Sequence, residues 1–173
     1  MSSPPVDVER EALSFLADFQ SGKGAGKTLF PRRIRYTCSK HLRRPKTIFD
    51  ETGVIVTLST KAGILILNSE GAKRLHRRFK SPKLRVLVKS EVEFFIREGR
   101  SVFCKHVKEL DASLRPGDEA LTVDQSDQLL GYGRLILPPE LTNGLKRGVA
   151  VKVRGGLVLE QENCLRQVTL CCN

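Results

Sequence analysis

Carboxylates are scarce in this chain. Its 173 residues carry 19 Asp and Glu against 30 Lys and Arg, a formal charge of +11 at neutral pH. The shortage is concentrated. From Arg32 to Lys46 there are seven basic residues and no acid, and from Gly71 to Ser90 there are eight, again with no acid. A basic surface that served solubility alone would intersperse the two signs. Clustered Lys and Arg instead attract phosphates and release their counterions, so the partner to expect is an anionic polymer. Long apolar runs are missing too. No stretch approaches the roughly 18 apolar residues of a membrane span, and no apolar signal core follows Met1, so neither a membrane nor a secretory route is expected. The five cysteines (Cys38, Cys104, Cys164, Cys171 and Cys172) are odd in number and follow no framework spacing. Free thiols in a reducing compartment, the cytoplasm, are the natural reading. There is no internal repeat and no low-complexity segment.

The chemistry that a catalyst or metalloprotein needs is also thin. Cys38 and His41 have a Cys-x-x-His spacing, half a zinc site, but no second pair completes four ligands, and the adjacent Cys171 and Cys172 chelate poorly. Neither a Ser-His-Asp set nor a close carboxylate pair can be assembled. Cys104 stands beside Lys105 and His106, which would activate a thiol they surrounded. On a strand, however, neighbours alternate sides, so Phe103 and Lys105 should share one face and Cys104 should enter the core. The stretch from Ser21 to Thr28 ends in the Gly-Lys-Thr of a phosphate-binding loop. Its first position is Ser rather than Gly, a helix rather than a strand precedes it, and Pro31 interrupts the helix that should follow. A flexible glycine turn is expected there. No metal, no cofactor, no nucleoside triphosphate and no enzymatic activity are therefore expected.

At this length the chain holds one ordinary domain or two small ones. Val6 to Gln20 reads as a helix with Ala12, Phe15, Leu16 and Phe19 on its inner face. Strands are expected at 34–38, 47–49, 54–58 and 64–67, the last two joined by a turn at Lys61-Ala62-Gly63. A helix should run from Ser69, as its N-cap, to Phe79, with Lys73, Arg74, Arg77 and Arg78 on its outer face. Strand 84–88 and a helix over 90–97 come next, the latter pointing Val92, Phe95 and Ile96 inward. Further strands are expected at 101–107, 119–124, 129–137 and 149–154, with a helix at 139–145 and one more strand at 168–170. Pro116-Gly117-Asp118 makes a tight turn.

Four segments of the second half carry a family likeness. Gly99-Arg100-Ser101-Val102-Phe103-Cys104-Lys105-His106-Val107, Leu114 to Glu119, Leu129 to Arg134 and Lys146 to Gly156 occur in an order and spacing that resemble the PUA domain. That RNA-binding module is found in pseudouridine synthases and archaeosine tRNA-guanine transglycosylases. Ala17 to Gly26, Leu29-Phe30-Pro31 and Glu70 to His76 resemble the domain that precedes PUA in the transglycosylases. The likeness spans about residues 10 to 157. The enzymes' catalytic barrel, with its paired aspartates and cysteine-rich zinc loop, has no counterpart, so the chain reads as their RNA-binding back half standing alone.

This resemblance implies an α+β chain: a small sheet-and-helix domain over residues 1–82, a PUA-type β pseudo-barrel over 83–157, and a tail over 158–173. It implies a structured-RNA binder, most simply of the tRNA acceptor stem and its single-stranded end, acting with a separate transglycosylase subunit. A ribosome-biogenesis or translation factor binding rRNA is the alternative. RNA is expected in one groove of the barrel, on Gly99, Arg100, Ser101 and Lys105, on Arg134 where Gly131 and Gly133 leave room for close approach, and on Lys152 and Arg154. The arm carrying Arg32, Arg33, Arg35, Arg43 and Arg44, with the helix bearing Lys73, Arg74, Arg77 and Arg78, should extend that surface.

Overall fold

The computed structural model describes residues 7–31, 33–39, 45–59, 61–142 and 144–157. Its first sheet is an antiparallel meander in chain order, β1 (Arg35–Cys38), β2 (Pro45–Asp50), β3 (Gly53–Ser59) and β4 (Ile64–Leu67). Three helices accompany it: α1 (Asp7–Ser21), α2 (Ala25–Leu29) and α3 (Ser69–Arg78). Ile48, Ile55, Leu65 and Leu67 of the sheet are buried together with Leu13, Ala17, Leu29 and Leu75 of the helices.

The inner face of α1 is not the one that its spacing suggested. Leu13 and Ala17 are buried, whereas Phe15 and Phe19 are 73% and 89% exposed. The cause is α2. Gly26 lies so close to the backbone of Ser14 that a Cβ there would overlap it, and this contact turns Leu13 and Ala17 inward. Asn68, rather than Ser69, is the residue before α3, and its Nδ2 donates to Thr57 Oγ1 at 3.1 Å.

The second sheet contains β5 (Arg85–Val88), β6 (Val102–Phe103), β7 (Val107–Leu110), β8 (Glu119–Val123), β9 (Leu129–Leu135) and β10 (Val149–Gly156). Their order is β6-β10-β9-β8-β5-β7, antiparallel except between β5 and β8. The expected continuous strand over 101–107 is divided. A 3₁₀ turn, Cys104–His106, carries the chain from β6 at one edge to β7 at the other, so the sheet curls into a nearly closed barrel. The turn is fixed by Cys104 N–H donating to Gly148 O and by Lys89 N–H donating to His106 O. Two helices cap the barrel, α4 (Glu93–Arg97), entered through a 3₁₀ turn at Ser90–Val92, and α5 (Pro139–Thr142), shorter than the expected 139–145. The expected strand at 168–170 lies outside the described residues.

Polar ties bind the two sheets. Arg85, 3% exposed, donates through Nη2 to the carbonyls of His76 and Phe79 at 2.8 Å each, and through Nε to Asp127 Oδ1 at 2.8 Å. His76 Nε2 lies 2.7 Å from Asp127 O. The C-terminal turn of α3 is thereby held to the β8–β9 turn. A second tie runs through buried Glu119, whose carboxylate accepts from Leu67 N–H of β4 and from Arg154.

Candidate nucleic-acid interface

The ground between α4 and the 3₁₀ turn at 104–106 is a cavity of about 550 Å³, lined by Lys89, Val92, Phe95, Arg100, Ser101, Phe103, Lys105 and His106, among others. Its walls follow from the local chain path. Gly99 ends the turn after α4, donating its N–H to Ile96 O, and Arg100 N–H donates to Phe95 O, which brings the arginine back over the helix. The Arg100 guanidinium lies 5.2 Å from the centre of the Phe95 ring, and Phe94 meets Phe95 edge-on at 5.8 Å. Phe95 is 42% and Phe103 47% exposed, so two aromatic rings face solvent beside three basic side chains. His106 Nδ1 sits 2.9 Å from Glu91 Oε1. An exposed ring offers a base a stacking face, and the neighbouring cations neutralise its phosphates.

The sequence-derived sites divide between this groove and other places. Gly99, Arg100, Ser101 and Lys105 come together at it. Phe103 and Lys105 share its wall and Cys104 is buried, as the alternation argument required. Burial pushes the Cys104 thiol up, away from a reactive thiolate. Phe95 was expected in the core and instead lines the groove, because Ile96 takes the buried position of α4. Phe94, Phe95, Phe103 and His106 were missed as site residues. The readable signal was four of the chain's ten Phe and Tyr falling from Phe94 to Tyr132, each within three residues of an Arg or Lys.

Arg134, Lys152 and Arg154 belong elsewhere. They share one face of β9 and β10, with Lys152 directly opposite Arg134, but none of them lines this cavity. One groove does not hold all five barrel cations. Arg154 is committed internally to Glu119, whose carboxyl is held above its ordinary value by burial, against the lowering pull of Arg154 and of Leu67 N–H. The room beside Gly133 is filled by the chain itself, since a Cβ there would run into the Lys152 carbonyl and sit 2.7 Å from Val153 Cα. Gly131 is likewise closed off, by Gly155 O and Thr122 Oγ1. These glycines admit β10 rather than RNA.

The four cations of α3 do not share one outer face. Arg77 and Arg78 are exposed. Arg74 is half-buried, bonded to Asp50, Thr52 Oγ1 and Leu29 O, and Lys73 pairs with Glu70 at 3.2 Å. Arg33 and Arg35 are exposed, whereas Arg32, Arg43 and Arg44 lie outside the described residues, as do His41, Cys164, Cys171 and Cys172. Cys38 is exposed at the end of β1.

The glycine turn at 21–28 is held by an acid of the chain itself. Asp18 Oδ1 accepts the N–H groups of Gly24 and Gly26 at 3.0 and 2.7 Å, the place and the donors that a bound phosphate would need. Thr28 Oγ1 donates to Gly24 O. Among the described residues no group of three His, Cys, Asp or Glu could hold a metal ion, and no helix is long and apolar enough to cross a membrane.

Comparison with known proteins agrees with this geometry. Residues 11–82 match the patch-forming domain C2 of tRNA-guanine transglycosylase, and residues 84–157 match the PUA domain. The fold is shared over 95% of the chain with a conserved PUA domain protein from Thermoplasma acidophilum (99% of that chain, TM-score 0.66, 16% identity). It is shared equally widely with a hypothetical protein from Pyrococcus horikoshii (99% of that chain, TM-score 0.70, 14% identity). The chain thus belongs among α+β proteins in which a nearly closed PUA barrel follows a second small domain. Its nearer likeness is to the tRNA-guanine transglycosylase family, whose C2 and PUA domains it carries in order. The tRNA-guanine(15) transglycosylase of Methanobrevibacter smithii is 42% identical over 82% of this chain, and the matched region is 22% of that enzyme's length.

Proposed function

We propose that this chain binds tRNA without acting on it chemically, as the RNA-holding part of a guanine-exchange system whose catalytic part is a separate polypeptide. The observation that carries this reading is the groove beside α4, where Arg100 lies over Phe95 and Phe103, Lys105 and His106 complete a basic, ring-lined wall. Such a wall takes an unstacked end of RNA, with rings against bases and cations on phosphates, while the adjoining stem is held by its backbone shape. Gly99, Arg100, Ser101 and Lys105 are its contacts, and the exposed cations Arg33, Arg35, Arg77 and Arg78 continue along the stem. Residues 1–82 and 83–157 serve as the two units of this holder. The names of the relatives favour tRNA over ribosomal RNA. The test is direct. The purified chain should retard tRNA on a gel with steep salt dependence, and should exchange no guanine until a transglycosylase catalytic chain is added. Guanine exchange by the chain alone, or equal affinity for tRNA with its 3′ end trimmed, would overturn the reading.

A further inference from the structure

A concavity larger than the groove lies between the two sheets, and no residue lines both. It measures about 710 Å³ and is bounded by the end of α1 (Phe19 to Gly22), by Ala62 and Ile64 of the first sheet, and by Lys83, Ser113 to Asp118 and Arg134 of the barrel. Three cations, Lys83, Arg115 and Arg134, face a single lining carboxylate, Asp118. That carboxylate is engaged, since Asp118 Oδ2 accepts Arg115 N–H at 2.8 Å. The acids behind the wall are engaged as well: Glu119 by Arg154 and Leu67 N–H, and Asp111 by Ser113 and by Leu84 N–H. The lining therefore carries more positive than negative charge, although Lys83 also acts on Asp111 and Arg134 on Glu119 behind the wall. At its rim stands Phe19, 89% exposed, with Phe15 one turn earlier on the same stripe of α1. An apolar ring left in water beside a basic lining is the combination that nucleic-acid sites use, ring for base and cation for phosphate. A cavity of this size admits about one nucleotide, not a duplex, and a paired base offers no free face to a ring.

We propose that this inter-sheet cleft is a second RNA subsite, which takes one flipped-out or loop nucleotide with its base on Phe19 and the flanking phosphates on Lys83, Arg115 and Arg134. The proposal rests on the RNA-binding reading above and adds a second point of grip, one that requires both sheets. It gives Arg134 a role away from the α4 groove and explains why the aromatic stripe of α1 points outward.

The chain contains no tryptophan, so Phe19→Trp introduces a unique fluorophore at the rim. In the full chain the emission of that variant should be quenched as tRNA saturates it. Phe19→Ala, by anisotropy with labelled tRNA, should bind roughly tenfold more weakly at an unchanged melting temperature, within what loss of base–aromatic stacking does. Arg115→Ala should weaken binding and reduce the salt slope by about one. Lys105→Ala, in the α4 groove, is the reference. If Lys105→Ala weakens binding while Phe19→Ala does not, the cleft proposal is refuted and the groove stands. Emission that stays constant on saturation also refutes stacking at Phe19. If the unmodified chain binds no tRNA, the broader reading fails and this one with it.

Discussion

Replacing Arg85 with Ala should loosen the junction between α3 and the barrel, on the side of the molecule where the inter-sheet cleft joins the two sheets. Its guanidinium is 3% exposed and makes four bonds: to Asp127 Oδ1, His76 O and Phe79 O at 2.8 Å each, and to Lys83 O at 3.3 Å. Removing one partner from a buried charged set costs about 3–5 kcal/mol, because the remaining groups lose their donor without regaining water. Asp127 is 42% exposed and does regain water, which places the expected cost near the lower end, about 3 kcal/mol. At about 2–4 °C per kcal/mol for a chain of this size, the melting temperature should fall by about 6–12 °C. Arg85→Lys keeps the charge but presents a point donor in place of a fork, so it should recover only part of the loss. Scanning calorimetry and urea titration, with circular dichroism to establish the fold, measure both variants. An Arg85→Ala chain that melts within about 2 °C of its parent, or a Lys variant as stable as Arg, would show that the α3 carbonyls are not held through this side chain.

Acid should destabilise the chain through Asp111 and Asp50. Burial alone would raise both carboxyls, but hydrogen bonds from Ser113 and Leu84 N–H with the charge of Lys83 hold Asp111 below its ordinary value, and Thr52 with Arg74 does the same for Asp50. A lowered value means that their contribution is complete above the ordinary carboxylate range and is lost as pH falls through it towards the folded-state value. Urea midpoints measured across that window should therefore drop, and Asp111→Asn should flatten the drop. Gly133→Ala should cost about 1–3 kcal/mol, since the new Cβ meets the β10 backbone rather than a movable side chain; an unchanged urea midpoint would contradict that packing. Lys105→Ala should weaken binding of all tRNA sequences alike and lower the salt slope by about one, and a sequence-dependent loss would mean that the lysine reads bases instead.

The elements were largely legible because their signals are local. The strand at Ile64–Leu67 is bounded by the Lys61-Ala62-Gly63 turn and by Asn68, and α3 follows from its apolar spacing of Ala72 and Leu75. What the pattern could not carry was decided by partners distant in sequence. Periodicity gave α1 an aromatic inner face, but the backbone contact between Gly26 and Ser14 selected the other face. Alternation separated Cys104 from Phe103 and Lys105 correctly, yet a single strand could not reach both edges of the barrel, and only closure of the sheet explains the 3₁₀ turn there. Glu119 follows a turn, and its burial comes from the docking of β4 against the barrel, which no local signal records.

Charge was the least legible property, because a cation's sequence neighbours do not reveal its spatial ones. Lys73, Arg74 and Arg85 lie in the second basic cluster and Arg154 in the acid-free stretch from Lys146 to Gly156, and each is bound to an acid or a carbonyl of the chain. Two of these pairs, Arg85 with Asp127 and Arg154 with Glu119, join elements far apart in sequence; both bring an acid from beyond residue 118 to a basic segment that holds none of its own. The local absence of carboxylates therefore does not measure free positive charge. Counterion release counts only cations that reach phosphate, at about 0.9 per contact in the salt slope for a duplex. A slope drawn from all the basic residues would overstate the RNA contact. In a salt titration with tRNA the slope is expected to reflect exposed cations such as Arg33, Arg35, Arg77, Arg78, Arg100, Lys105, Arg115 and Arg134, and not those bonded within the chain.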